Sequence, residues 1–269
     1  MAAPELVRRT SFGVTLLGDP HRPGGVTLGF TERTGGFSTG CYDSLDLGNN
    51  CGDDPALVDK NRRLTLKALG MEGLYSSLVN PLQVHGDKVV TVGAERAVQD
   101  AQEEALRGAG AIVCAQKDVP VLLCYADCVP VVLVAPGAFA VVHSGWRGTI
   151  LRIAAKALSE LVRVAGCAVQ DVQAYIGPHI GVADYEVSSD ILERFVDEFG
   201  PEVTDGSNLD LGMAVRRALT DEGLLSTMIA EVSESTASNT DRFYSYRAEQ
   251  GTCGRHGAIA CMVSLPREV

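Results

Sequence analysis

Between Val131 and His143 the sequence reads VVLVAPGAFAVVH, two β-branched runs of strand length separated by a single Pro-Gly pair. Runs of this kind read as strands, and Pro136-Gly137 is turn chemistry, so the segment is constrained to an antiparallel hairpin. With Pro136 and Gly137 as the two central residues, residue i faces residue 273 − i (136 + 137), and Pro130 opposes His143. Cys128 then lies on the same face, diagonal to His143 and about 7–8 Å away. A turn of another length would break this register.

Similar runs recur along the chain. Phe12–Leu17, Gly25–Phe30, Lys88–Val92, Val119–Tyr125, Val172–Ile176, Met228–Val232 and Ala258–Leu265 read as further strands. The clearest helix has Asp54 as N-cap and Pro55 at its first position, carries Leu57, Asn61, Leu64 and Ala68 on one stripe, and stops at Gly70. Helices are also expected over Thr149–Val164, Ser189–Phe199, Leu211–Glu222 and Glu95–Leu106. The chain has 269 residues, with no Pro-, Gly- or Ser-rich linker and no internal repeat. One α/β (α+β) domain over 1–269 is expected, with residues 1–10 as a disordered lead-in. Because most strands are joined as hairpins rather than by helical crossovers, its sheet should be mixed and flanked by helices.

Charge narrows the partners. Lys and Arg total 23 against 34 Asp and Glu, a net charge of −11, which disfavours nucleic acid and anionic membrane surfaces. Phosphate-bearing small molecules remain compatible, because a pocket can be locally basic. Eight scattered cysteines lack the dense spacing of a secreted scaffold, and a chain this long buries enough surface to need no disulfide framework. The first residues carry Pro4, Glu5, Arg8 and Arg9 where a signal peptide needs an apolar core, so a cytoplasmic protein is expected. The sequence holds no G-x-G-x-x-G after a strand, no P-loop, no H-E-x-x-H and no G-x-S-x-G. Five histidines, with no His-x-His pair, are few for an ordinary multicopper oxidase.

Three segments are chemically dense: Gln83-Val84-His85-Gly86, Ala126-Asp127-Cys128-Val129-Pro130 and His143-Ser144-Gly145-Trp146-Arg147-Gly148. His85 ends an apolar stretch before a Gly-Asp turn and can join Cys128 and His143. Two imidazoles and one thiolate would leave zinc an open fourth position, which is catalytic stoichiometry. The alternative is a core histidine, a small buried cysteine and a turn residue. Gly145–Gly148 ends a strand and opens a helix, so Arg147 beside that terminus is a candidate anion site, or else a connection built for geometry. Arg33, beside Gly35 and Gly36, invites the same two readings. Asp127 is either an acceptor orienting a ligand imidazole or a turn residue. His21 and His179 read as loop residues, and Cys253, His256 and Cys261 form a weak metal run.

Eight motifs then appear in order: F-T-x-R-x-G-G-x-S (30–38), Y-D-S-L-D-L-G (42–48), G-D-D-P followed by N-R (52–62), L-Q-V-H-G (82–86), A-D-C-V-P (126–130), H-S-G-W-R-G (143–148), I-G-P-H-I-G followed by Y-E-V (176–187) and F-Y-S-Y-R (243–247). Together they resemble the YfiH or laccase-domain family, also called multi-copper polyphenol oxidoreductases and peptidoglycan editing factors. The resemblance implies a fold akin to the catalytic domain of cytotoxic necrotizing factors, with a metal site at His85, Cys128 and His143. It also implies phosphorolysis of adenosine, inosine, guanosine and S-methyl-5'-thioadenosine, and deamination of adenosine. Two departures stand out: Ser235 aligns where many members have a cysteine, and Gly110 stands where an acidic residue often precedes the Ala-Ile-Val strand.

The resulting expectation is a zinc enzyme, with copper as the other candidate metal. Zinc on His85, Cys128 and His143 would activate water for deamination. Arg147, the helix terminus and Arg33 would hold phosphate, with Gln83 as a further substrate contact. The rivals are a Cys128–His143 amidase editing peptidoglycan precursors, a copper-dependent phenol oxidase, and a non-enzymatic zinc-bearing partner of regulators. Nothing in the sequence sets the oligomeric state.

Overall fold

The structure, a computed structural model, describes residues 3–264. Strands β1 (Val7–Ser11), β2 (Val14–Gly18) and β3 (Val26–Thr31) precede helix α1 (Pro55–Ala68). Next come β4 (Val89–Val92), α2 (Val98–Ala105), β5 (Ala111–Cys114), β6 (Val121–Tyr125), β7 (Val129–Ala135) and β8 (Ala138–Ser144). Helices α3 (Trp146–Ile150) and α4 (Ile153–Ala165) lead to β9 (Gln173–Ile176) and α5 (Ser189–Phe199). The short β10 (Thr204–Asp205) and β11 (Asn208–Leu209), then α6 (Leu211–Asp221), β12 (Ile229–Glu231) and β13 (His256–Met262), complete the order.

These elements form two sheets. One is antiparallel, in the order β1-β2-β3-β13-β6; the other is mixed, in the order β12-β9-β7-β8-β5-β4, with β12–β9 and β4–β5 parallel. The mixed, helix-flanked sheet expected from the sequence is the second of them. The sheets face each other through Phe30, Tyr125, Phe139 and Tyr175. Helix α1 covers the outer face of the antiparallel sheet, Leu66 and Leu69 meeting Leu16, Leu122 and Ile259. Helices α4, α5 and α6 cover the outer face of the mixed sheet, Leu158, Leu161, Phe195 and Ala214 meeting Val131, Leu133 and Val142. The central strands of both sheets are thus covered on both faces, which is why β6, β7 and β8 are buried at every position and show no polar alternation.

The hairpin register holds: Ala135 pairs with Ala138 around Pro136-Gly137, and Pro130 pairs with His143. Asp54 caps α1 by accepting from Ala56 N, a contact worth about 1 kcal/mol. The buried stripe of α1 is rotated from the expected one, to Val58, Asn61, Arg62, Thr65 and Leu66. Its polar members are satisfied, Asn61 by Ser38 Oγ and Asp46 O, and Arg62 by Leu47 O. The helix expected over 149–164 is two helices. Thr149 turns its hydroxyl onto Gly145 O (3.0 Å) and Ser144 Oγ (2.8 Å), in competition with the helix ladder, and Arg152 then takes φ 58°. The lead-in read as disordered carries β1, a solvent-facing edge strand whose arginines disguise it. Strand β13 starts two residues before the expected run; Leu265, its expected end, lies outside the described residues. Among the described residues no helix is long and apolar enough to cross a membrane.

Candidate metal and active site

One cavity of about 650 Å³ opens where the two sheets splay, and the three dense segments meet in it. Its floor is built from the hairpin. His143 sits on β8, and Cys128 immediately precedes β7, after Asp127 at φ 88°. The third member comes from a loop strapped along β6. Val79 bridges Val121, and the Gln83 side chain clamps Cys124 by donating to its carbonyl (2.7 Å) and accepting from its N–H (2.8 Å). That loop delivers His85 at φ 56°, a conformation uncommon for a residue with a side chain.

The ligand atoms of His85, Cys128 and His143 lie within 4.8 Å of one another. The imidazoles meet edge to face, with centroids 4.8 Å apart and planes at 84°. His143 is almost wholly buried, and its Nδ1 has no hydrogen-bond partner. Burial first, then the neighbouring His85 and Arg255, pushes the His143 pKa down to about 3, and burial followed by Arg147 and Arg255 lowers that of His85. Both rings are therefore neutral, with lone pairs to offer. Burial, then Asp127, pushes the Cys128 thiol up to about 12. A thiolate there needs a cation beside it. The floor beneath the three is Gly145: a Cβ on it would fall 2.9 Å from Cys128 Sγ and 3.1 Å from His85 Cδ2. An orphaned nitrogen, two neutral imidazoles, a thiol and this cleared space fit a divalent cation of zinc or copper type.

The remaining expected residues are placed differently. Arg33 does not line the cavity: its guanidinium donates to Asp43 O (2.9 Å), Thr240 O (2.8 Å) and Glu249 (3.0 Å) and lies over the Tyr244 ring, so it is spent on tying loops together. Gln83 lines the cavity, but its amide is spent on Cys124. Arg147 lines it with its side chain exposed. The helix opening there, α3, is only five residues long and offers no sustained terminus for an anion. Asp127 contacts neither imidazole; it accepts from Thr236 Oγ1 (2.7 Å) and Arg247 N (2.7 Å). His256 and Cys261 face opposite sides of β13, which dissolves the weak metal run. His179 bonds Gly177 O from a loop, and His21 pairs with Glu5. With Asp19 these last two make a second acidic group, but Asp19 already accepts from Tyr175 and His21 N.

A family model described as multi-copper polyphenol oxidoreductase laccase matches residues 27–263, nearly the whole chain. The chain belongs to that family. It is 32% identical over 264 residues to a purine nucleoside phosphorylase of Deinococcus radiodurans, covering 96% of each chain. It is also 33% identical over 236 residues to an adenosine deaminase of an unknown prokaryotic organism, covering 83% of this chain and 88% of that one. The crystal structure of YlmD from Geobacillus stearothermophilus superimposes with a TM-score of 0.85 at 30% identity, over 97% of this chain and 100% of that one.

Within this laccase-family chain both departures have local explanations. Gly110 presses on the loop before the cavity, where a Cβ would come 2.4 Å from Gly86 O, and its own carbonyl accepts from His143 N (2.8 Å). Ser235 donates to Asp184 and accepts from Gly181 N, a loop tie away from the metal-ligand group. Among the cavity residues that sequence reasoning missed are Tyr185, Tyr246, Arg247 and Arg255. Arg247 and Tyr246 belong to the F-Y-S-Y-R motif, so a signal existed for them. Arg255 carried none.

Proposed function

We propose that the chain is a zinc-dependent purine nucleoside phosphorylase that also deaminates adenosine, with inosine, guanosine and S-methyl-5'-thioadenosine as further substrates and inorganic phosphate as co-substrate. The convergence of His85, Cys128 and His143 at the floor of a cavity with aromatic and arginine walls carries this reading. The relatives named as phosphorylase and deaminase support it. Bound there, zinc would supply a Lewis acid that lowers the pKa of a coordinated water towards neutrality.

The chain's own residues do the rest. Trp146, Tyr185 and Tyr246 give the cavity aromatic surface against which a purine can pack beside the guanidinium that each ring carries, and Arg147 offers positive charge to phosphate. In phosphorolysis HPO4²⁻ forms the C1′–O bond while the C1′–N9 bond breaks with its electron pair going to the base; the phosphate hydrogen ends on the purine. The amidase alternative asks Cys128 to be a free nucleophile. A thiol near 12 beside an imidazole near 3 is a poor acid next to a poor base. A multicopper oxidase asks for several imidazole-rich sites, and the other candidate group among the described residues has one histidine.

Purified protein given adenosine and phosphate should yield adenine with ribose 1-phosphate, and inosine, both sensitive to a chelator. Cys128→Ala should lose bound metal and turnover by about a thousandfold or more while its melting temperature stays close to the wild type's. Full turnover by Cys128→Ala would overturn the reading.

A further inference from the structure

Two of the three phosphate contacts suggested by the sequence fall away, since Arg33 is spent and α3 is too short. The cavity nevertheless carries concentrated positive charge. Arg147, Arg247 and Arg255 all line it. Ion pairs of the described residues engage other arginines, such as Arg8, Arg152 and Arg242, and none engages these three. Each is instead laid on an aromatic face: Arg147 over Trp146 (4.4 Å), Arg247 over Tyr185 (5.1 Å) and Arg255 near Tyr246 (5.7 Å). The remaining contacts are chiefly carbonyls. Arg247 donates through one Nη to Glu186 O, and Arg255 uses only Nη1, on Cys253 O and Gly254 O, with Cys253 Sγ at 3.3 Å. Aromatic faces and carbonyls orient a guanidinium but do not cancel its charge.

We propose that Arg247 and Arg255, together with Arg147, form an anion subsite that takes a phosphate dianion beside the His85–Cys128–His143 group. Each guanidinium keeps unused N–H donors, in the fork geometry that suits phosphate oxygens. Asp127 fixes the backbone of Arg247 through Arg247 N, so the loop that brings this arginine is tied to the turn that brings Cys128. The role of the bound dianion as attacking co-substrate rests on the phosphorylase reading. The subsite itself does not.

The test is calorimetric titration of inorganic phosphate into the full chain, with thermal melting in parallel. Wild type should bind, and Arg247→Gln or Arg255→Gln should each weaken binding by about 10- to 100-fold. Arg247→Lys and Arg255→Lys, which keep charge but lose the fork, should fall between, and this separates a lost contact from a fold defect. In steady-state assays the phosphate KM should rise by a similar factor while the nucleoside KM moves far less. Wild-type binding by the Gln double variant, or neither heat nor a melting shift from phosphate in wild type, overturns the subsite. Phosphate binding that the Gln variants lose, without any nucleoside turnover, keeps the subsite and removes the phosphorylase reading. Turnover with an unchanged phosphate KM in the variants does the reverse.

Discussion

The floor and the rim of the cavity are built by different means. On the floor, Cys128 and His143 are set by one hairpin whose backbone ladder pairs Val129–Ala135 with Ala138–Ser144. At the rim, Arg147 follows β8 while Arg247 and Arg255 come from the segment before β13, and all three are held by aromatic faces, carbonyls and the Asp127 bonds. His143 is held by the strand ladder, Cys128 by the start of β7 that it adjoins, and His85 by a loop that Gln83 and the Val79–Val121 bridge strap to β6. The rim is only as rigid as a few side-chain contacts. Geometry that would have to suit a metal to within tenths of an ångström sits at the floor, and contacts that a mobile substrate would enter and leave sit at the rim.

Three substitutions would break or sharpen this contrast. The largest effect should come from Gly145→Ala. Its Cβ would press on Cys128 Sγ (2.9 Å) and His85 Cδ2 (3.1 Å) and push two ligand side chains out of place, so bound metal measured by elemental analysis and turnover should both fall about 100-fold or more. Retention of full metal would mean that the floor flexes. Asp127→Ala should act on the rim instead: Thr236 and the Arg247 amide lose their acceptor, stability drops by about 1–3 kcal/mol in urea unfolding, and kcat/KM falls about tenfold, mainly through KM. A loss of metal in that variant would show floor and rim to be one unit. The smallest effect on turnover should come from His256→Leu, which tests burial on the strand side alone.

His256 is fully buried between Tyr125 and Phe243, and neither ring nitrogen makes a hydrogen bond of normal geometry, although the nearby Pro178 carbonyl slightly favours its charged form. Burial holds its pKa near 3, below the ordinary 6.5. Between those values the unfolded chain takes up a proton that the folded chain refuses. Stability is therefore full above about pH 6.5 and falls with acid, by about 1.4 kcal/mol per pH unit for each such histidine. On going from pH 7 to pH 5, His256→Leu should lose about 2 kcal/mol less than wild type by urea unfolding, with its turnover at pH 7 unchanged. Equal losses in the two proteins would mean that His256 titrates normally.

The hairpin was legible because its signal is local: a Pro-Gly turn between two valine-rich runs states its own register, and with it the Cys128–His143 pairing. The misread residues are polar side chains whose partners are distant in sequence. Gln83 looked like a substrate contact because Cys124 lies 41 positions away, and Arg33 looked like an anion ligand because Glu249 lies 216 away. Asp127 and Arg247 are 120 apart, and no periodicity links them. Strand β1 was hidden for another reason: an edge strand facing solvent can carry Arg8 and Arg9 and still pair with β2. The second sheet escaped notice because burial on both faces erases the alternation that would have separated its strands from those of the first.

The acidic body and the uncancelled arginines of its cavity together make a sieve. At physiological ionic strength a charge is felt over about 8 Å, so the three guanidinium groups govern only what has already entered the mouth. The rest of the surface carries the acidic excess that gives the chain its net charge of −11. A single phosphate is small enough to pass from one regime into the other. A polyanion, whose many charges cannot all enter, would keep most of its charge over that acidic surface, so a short anion is the better fit to this mouth.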